Sequence, residues 1–326
     1  MGKERKEICK MDNINSLSVS VCILTYNRCS LLRGLLEELG NIVCASIEII
    51  VIDNHSEDLT QEMMTADYVN IKYVRTEKNI GASARNIAMK AAKGDIIVTL
   101  DDDIRGLGER EIETLVRKFS EDPTLGAANF KVMNSEGHIC NWVHHCRQED
   151  FCDKEFLTYE ITEGAVAFRR KTLERSGYYS ESFFLSHEGP DLAFRIIESG
   201  FKVIYLASVG VTHYFANEGR EPWRNYYYDT RNQLWLAVRN FPITYALVYL
   251  GRGLFSMLVY SIRDGYFSYW VKAIVDGIAG LKQVVSERNV LSDATMKIVK
   301  RIDSLRPSLA YMIKKRLLAK DAVNLK

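Results

Sequence analysis

The chain has 326 residues, 47% hydrophobic and 26% charged, which supports one large α/β domain with an appendage or two smaller domains. Forty-three Lys and Arg against 42 Asp and Glu leave a net charge of +1, which excludes bulk electrostatic binding of nucleic acid, so any charged partner is met locally. Seven cysteines, an odd number with no CxxC pair, fit a reducing compartment better than a disulfide framework.

Residues 1–17 begin MGKERKEICKMDNINS, a polar extension without the apolar core of a signal or an anchor. Lys6 stands where a myristoylation start would place Ser or Thr. The pattern then alternates β-branched runs with helical stretches: a strand from Val19 to Leu24, a helix from Leu31 to Leu39, and strands at Ile47 to Ile52 and Ile71 to Val74. An amphipathic helix from Ala82 to Ala92 ends at Gly94, and a fourth strand covers Ile96 to Leu100. Val- and Ile-rich strands separated by helices indicate a parallel sheet covered on both faces.

Ligands of such sheets bind beyond the carboxyl ends of the strands. Those ends carry Thr25-Tyr26-Asn27-Arg28, Asp53-Asn54 and Asp101-Asp102-Asp103. Three adjacent carboxylates after a buried strand are costly without a compensating cation. Oxygen ligands there suit Mg²⁺ or Mn²⁺, ions that commonly serve phosphates.

Between Ala127 and Phe168 the pattern is mixed. His138, Cys140, His144, His145, Cys146 and Cys152 raise a zinc alternative without standard ligand spacing; the plainer reading is a β-rich segment with free thiols. Beyond Phe241-Pro242, helical stretches cover Ile243 to Ile262 and Tyr266 to Val285, followed by a basic tail from Lys297 to Lys320. The first approaches membrane-spanning length but carries Arg252, which favours packing within the fold or lying at an interface. Lys314-Lys315-Arg316 in the tail is either solvated or a contact for anionic lipid.

The ordered blocks VCILTYNR, VIDNHS, EKNIGASARN, TLDDD, TEGAVAFRR, HEGPDLAFR and VTHYF resemble family 2 of the inverting, nucleotide-sugar-dependent glycosyltransferases, particularly its rhamnosyltransferase-like members. The resemblance covers about Val19 to Pro242. It implies a GT-A fold, an α/β architecture with a Rossmann-like nucleotide-binding half around a mixed central sheet. The expected division is a nucleotide-binding half over 18–103, an acceptor and catalytic half over 104–241, and a C-terminal helical extension over 242–326.

The resemblance also implies roles. Thr25, Tyr26 and Arg28 line the nucleotide site, and Asp53 accepts from the base, against the alternative of a turn or cap Asp before Ser56. Asn79, Gly81, Arg85 and Asn86 pack beside the nucleotide; Arg85 faces phosphate, braces the carboxylates, or is an ordinary ion pair. Asp101 and Asp103 match the DxD motif, with Asp102 between them on the donor side. Asp101 reaches ribose or metal and Asp103 coordinates the ion bridging the donor diphosphate. His213 completes the metal site or is a hydrogen-bonded structural residue. Arg220, Arg224 and Arg231 are candidates to clamp the diphosphate, and Glu163 and Gly164 lie near the acceptor sugar.

An inverting transfer needs a base to take the acceptor hydroxyl proton. The corresponding segment here is His187-Glu188-Gly189-Pro190-Asp191, with Gly189 in place of the second acid of the usual pair. Pro190 as first helical residue and Gly200 as stop predict a helix over 190–199. Asp191 then sits in its first turn, and Glu188 precedes it, free to face the cleft. Glu188 is the preferred base and Asp191 the alternative.

No QxxRW pattern of processive synthases is present. The expectation is therefore transfer of one sugar from a UDP- or dTDP-linked donor to a glycan or lipid-linked acceptor, with Mg²⁺ or Mn²⁺ as cofactor. Competing readings are an inactive sugar-binding or scaffold relative, suggested by Gly189, and a nucleotidyltransferase, which would show a Gly-rich basic loop near its start. The expected location is the cytoplasm, with the final helices open to peripheral contact with the inner membrane face or to a homodimer.

Overall fold

The computed structural model describes residues 17–42, 47–140, 142–162, 164–214 and 221–318. The strands are β1 (Val19–Thr25), β2 (Ile47–Asp53), β3 (Lys72–Arg75), β4 (Ile96–Asp101), β5 (Ile104–Arg105), β6 (Leu125–Asn134), β7 (Phe156–Leu157), β8 (Ala165–Arg169) and β9 (Lys202–His213). They form one mixed sheet, ordered β3-β2-β1-β4-β8-β6-β9-β5, with β7 pairing β9.

The first four strands are parallel, as the Val- and Ile-rich runs of β1, β2 and β4 predict. β8 runs antiparallel between β4 and β6, while β9 is parallel to β6. The chain order reverses between β1 and β4, and such a switch point opens a crevice at the strand ends. Register brings the polar residues level there: Thr25 lies beside Asp53 and Leu24 beside Asp101.

Alternate residues feed two cores. Val19, Val21 and Ile23 of β1 join Val98 and Leu100 on one face, while Cys22, Ile50, Ile52 and Ile97 face the other. The first face is covered by α1 (Cys29–Gly40), α2 (Thr60–Asp67) and, after α3 (Arg85–Ala91), α4 (Glu109–Glu121). Leu32, Leu35, Leu36 and Leu39 of α1 recur at i, i+3, i+4 and i+7, so one stripe is buried. Helix α3 covers the second face, and the turn before it, Gly81–Ala84, is 3-10 rather than the α-helix expected. The cause is tertiary: Ala82 N–H donates to the Phe184 carbonyl at 2.8 Å.

The remaining helices are α5 (Gln148–Phe151), α6 (Arg170–Ser176), α7 (Glu188–Glu198), α8 (Trp223–Asn240), α9 (Ile243–Arg263), α10 (Phe267–Ala279), α11 (Leu281–Ser286), α12 (Asp293–Asp303) and α13 (Leu309–Leu318). The stretch read as one helix over 266–285 is thus two, parted at Gly280, a residue of low helix propensity. The basic tail is helical in α12 and α13 as far as described. Among the described residues one helix, α9, is long and apolar enough to cross a membrane.

Helix α7 corrects the expected start. It begins at Glu188, with His187 as a left-handed N-cap at φ 70°, so Pro190 is the third helical residue. Proline is tolerated there because the first N–H groups of a helix have no intrahelical acceptor.

Candidate active site

The three carboxylates after β4 have three different environments. Asp101 pairs with Arg85, whose side chain is almost buried. Asp102 accepts from the Thr25 hydroxyl at 2.7 Å and from Arg28 at 3.0 Å. Asp103 accepts from the same guanidinium at 2.9 Å and lies 3.2 Å from His213 Nε2. Burial pushes the Asp102 carboxyl up to about 6, against the opposing pull of Arg28.

This corrects part of the sequence reading. The cations that compensate the cluster belong to the chain, so clustered Asp residues here do not require a metal on electrostatic grounds alone. Thr25 and Asp102, both about 1% exposed, bond to one another within the cluster. Arg28 bridges Asp102 and Asp103, whereas Tyr26 is exposed beside them. Asp53 is wholly buried; it accepts from Ser56 N–H at 2.7 Å and from the Tyr73 hydroxyl at 2.6 Å. The turn role weighed for it is the one its bonds describe.

Asn79 likewise secures its loop, accepting from Asn54 Nδ2 and Gly81 N–H, both at 3.0 Å. Gly81 has φ +70°, and a Cβ would collide with the Phe184 carbonyl. Asn86 exchanges two bonds with the backbone of Tyr179. Gly164 lies so close to Asp101 that a Cβ would approach Oδ2 at 2.5 Å. Its signal is therefore close approach to the first carboxylate, beside β8. Glu163 and Arg220 lie outside the described residues.

Pairing of Ile104 in β5 with His213 at the end of β9 carries that imidazole to the Asp103 side of the crevice. Asp101, His213, Gly164 and Glu188 line one cavity of about 420 Å³, a volume suited to a small ligand. Asp191 is absent from its walls. Wholly buried, Asp191 accepts from Arg195 at 3.0 Å and from Asn240 at 3.1 Å and lies 3.2 Å from Arg239, joining α7 to α8. The two candidate bases thus separate: Glu188 faces the cavity from the first helical position, and Asp191 holds helices together.

The loop that delivers Glu188 is strained. Phe184, Ser186 and His187 all have φ between 62° and 70°, conformations that cost about 1 to 3 kcal/mol each and persist only where the surroundings impose them. Asn232 imposes them from α8: its Nδ2 lies 2.9, 2.6 and 2.7 Å from the carbonyls of Phe183, Leu185 and Ser186. Arg231 adds a bond to Phe183 O and lies over the Trp235 ring, so it supports the loop; Arg224 lines the cavity.

Sequence reasoning passed over several cavity residues. Asn225, Tyr228, Asp229 and Gln233 line it from α8, and their spacing of three, one and four residues was a detectable helical stripe. His144 and Glu160 line it as well. Burial raises the Glu160 carboxyl, but its bond to His144 at 2.9 Å and the nearby cations overcome this and hold it down at about 2. His145 bonds instead to Thr158. No group of three His, Cys, Asp or Glu suited to a metal occurs among the described residues, so the histidine and cysteine cluster is not gathered as a zinc site.

Residues 20–177 match the model of glycosyl transferase family 2. Those residues, just under half of the chain, form a glycosyltransferase family 2 domain. The glycosyltransferase is similar to the O-antigen chain rhamnosyltransferase RfbN of Salmonella typhimurium, with 26% identity over 227 residues, 65% of this chain and 71% of that protein. Its fold matches the mannosyltransferase PcManGT from Pyrobaculum calidifontis, solved with GDP-Man and Mn²⁺ (TM-score 0.54, 18% identity, 98% of this chain and 94% of that one). It also matches S. aureus TarS 1-349 with UDP-GlcNAc (TM-score 0.57, 16% identity, 92% and 88%). The mixed sheet of this glycosyltransferase is accordingly a GT-A fold with a helical C-terminal region.

Proposed function

We propose that this glycosyltransferase moves one sugar from a nucleoside diphosphate donor to a hydroxyl of a glycan acceptor with inversion at the anomeric carbon. The observation that carries the reading is the convergence of Glu188, Asp101 and His213 on one cavity, with Asp191 excluded. In this reading residues 18–103 hold the donor, 104–241 complete the acceptor side, and the helices after 242 close the cavity.

Glu188 accepts the proton of the attacking hydroxyl. The first helical position suits it: the positive end of α7 favours the carboxylate form in which a base must start. Arg85 holds the Asp101 carboxylate in place at the cavity wall, and Arg28 with Thr25 fixes the two buried acids behind it.

Asp103 and His213 already lie together, whereas Asp101, held by Arg85, would have to move to join them in holding a divalent ion, because no group of three such ligands is preformed among the described residues. The 3.2 Å between Asp103 Oδ2 and His213 Nε2 is close to the roughly 3 Å between adjacent ligands of an octahedral ion with bonds of about 2.1 Å, and donor phosphates commonly fill further positions. Held there, such an ion would supply positive charge to offset that of the departing diphosphate. The oxygen-rich set suits Mg²⁺ and Mn²⁺ alike, and Mn²⁺ accompanies GDP-Man in PcManGT. The likeness to RfbN favours a deoxyhexose donor and a role in building a surface polysaccharide.

The test is calorimetric titration with UDP, dTDP and GDP, each with and without Mn²⁺. Metal-dependent binding of one nucleotide, weakened in His213→Ala, is the expected result. Binding unaffected by Mn²⁺ would remove the ion from the proposal, and no binding of any of the three would remove this donor site.

A further inference from the structure

Beside Glu188 the cavity wall holds a second polar cluster, made of Ser186, His187 and Asp229. The Ser186 hydroxyl donates to Asp229 Oδ1 and lies 3.1 Å from His187 Nδ1. Asp229 Oδ1 is itself 4.0 Å from that nitrogen. Helix α8 thus brings a carboxylate to one side of the imidazole. Asn232, on the same helix, fixes the backbone between them through the Ser186 carbonyl.

A carboxylate only accepts, so the single Ser186 hydroxyl proton points to Asp229. The Ser186 oxygen then offers the ring nothing but lone pairs, and Nδ1 has to donate to it. A neutral imidazole with its proton on Nδ1 keeps a lone pair on Nε2. Burial disfavours the charged ring and lowers its pKa below the ordinary 6.5; Asp229 and Glu160 pull the other way, and His144 adds to the lowering. The bonds that the ring makes to described residues are all at Nδ1. Nε2 is therefore a hydrogen-bond acceptor without a protein donor among those residues, on a side chain that lines the cavity.

We infer that His187 binds the acceptor sugar: its Nε2 accepts a hydrogen bond from a hydroxyl other than the one Glu188 deprotonates, while Ser186 and Asp229 hold the ring in the tautomer that allows it. The inference rests on the transferase reading for the identity of the ligand, whereas the tautomer stands on the cluster alone. His187 touches substrate in this scheme; Ser186 and Asp229 are positioning residues that act through it. Neighbouring side chains at one helix start then engage two hydroxyls of the same sugar, which orients the attacking oxygen. A site built to bond a hydroxyl also rejects the deoxy analogue that leaves it unpaired, so His187 sets acceptor specificity.

The test uses the full chain labelled with ¹⁵N in histidine, at neutral pH, with the His187 signals identified by their loss in His187→Gln. Proton–nitrogen correlation spectra should show His187 as the neutral Nδ1–H tautomer. Asp229→Ala frees the Ser186 proton to point at Nδ1 and should move the ring towards the Nε2–H form. A parent ring that is charged or already Nε2–H, or a tautomer unchanged in Asp229→Ala, overturns the inference. Ligand contact is read with the methyl glycosides of glucose, galactose, mannose, rhamnose and N-acetylglucosamine, added with UDP and Mn²⁺. At least one should move the His187 Nε2 signal and bind about tenfold more weakly to His187→Asn, as loss of one hydrogen bond does. Asparagine tolerates the left-handed backbone and reaches only the Nδ1 position, so that variant should keep its unfolding midpoint. His187→Gln, whose amide oxygen reaches the Nε2 position, should recover part of the affinity. Equal weakening in the two variants would make the ring a structural prop, and no response to any of these sugars would remove it from acceptor binding; either result overturns the inference. Nucleotide titration of the parent protein stands apart: its failure would count against the transferase reading and leave the tautomer result in place.

Discussion

The side-chain amide of Asn232 in α8 lies 2.7 Å from the main-chain carbonyl of Ser186, two residues before Glu188. With its bonds to Phe183 and Leu185, this one buried amide holds the left-handed loop in place. Asn232→Ala would leave those carbonyls short of a donor, at a cost of about 1 to 3 kcal/mol. The expected result is a lower unfolding midpoint and reduced transfer with nucleotide affinity retained. Unchanged transfer would show that the loop keeps its shape without the amide.

Glu188→Gln and Asp191→Asn should fail in opposite ways. The first is expected to keep its unfolding midpoint and nucleotide affinity while transfer drops about 10²-fold or more, the usual weight of a general base. The second disrupts a buried set of ionic bonds with Arg195 and Arg239, and should lower stability by about 3 kcal/mol. Denaturant melts beside rate measurements separate them, and a stable but inactive Asp191→Asn would return the base to Asp191.

The Glu160 and His144 pair predicts a window in pH. Glu160 is held at about 2, below its ordinary 4.5, so its contribution is present above about 4.5 and lost as pH falls towards 2. His144 is raised above its ordinary 6.5, chiefly by Glu160, so its contribution is present below about 6.5 and lost as pH rises through the folded value. The pair therefore stabilises most between about pH 4.5 and 6.5. The His144 side chain is 57% exposed, so solvent screening limits the effect to about 1 kcal/mol or less. Urea midpoints of Glu160→Gln against the parent should differ most within that window; a constant difference from pH 4 to 8 would contradict the pairing.

Gly81→Ala should be more damaging than its size suggests. The position combines a left-handed backbone with contact against the Phe184 carbonyl, so the new methyl meets both a conformational and a steric penalty. A loss of more than about 1 kcal/mol is expected, with reduced transfer, because the displaced loop is the one that carries Glu188. A neutral effect in denaturant melts would mean that the two loops separate easily.

The donor side of the fold was legible in the sequence for a physical reason. Strands buried on both faces must be continuously apolar, so β1, β2 and β4 announce themselves and their polar ends mark the crevice. Asp101 and the glycines at 81 and 164 were found through the motif blocks, although the close contacts that require glycine there involve partners distant in sequence. The state of Asp102 was not legible: whether three adjacent acids need an external cation depends on Arg28 and Arg85, which arrive from other elements. The helix start at Glu188 was missed by two residues because a left-handed His187 is costly locally and is imposed by Asn232.

Local pattern thus carried the strands of the first half, their parallel arrangement and the polar residues at their ends, while the motif blocks carried the family resemblance. Packing decided that Glu188 lines the cavity while Asp191 pairs with Arg195 and Arg239, and that Thr25 and Asp53 bond within the protein beside Asp102. The difference lies in the range of the interactions. Alternation and helical spacing are written in neighbouring residues, whereas burial, ion pairing and the direction a helix face looks are set by contacts between segments tens to hundreds of residues apart.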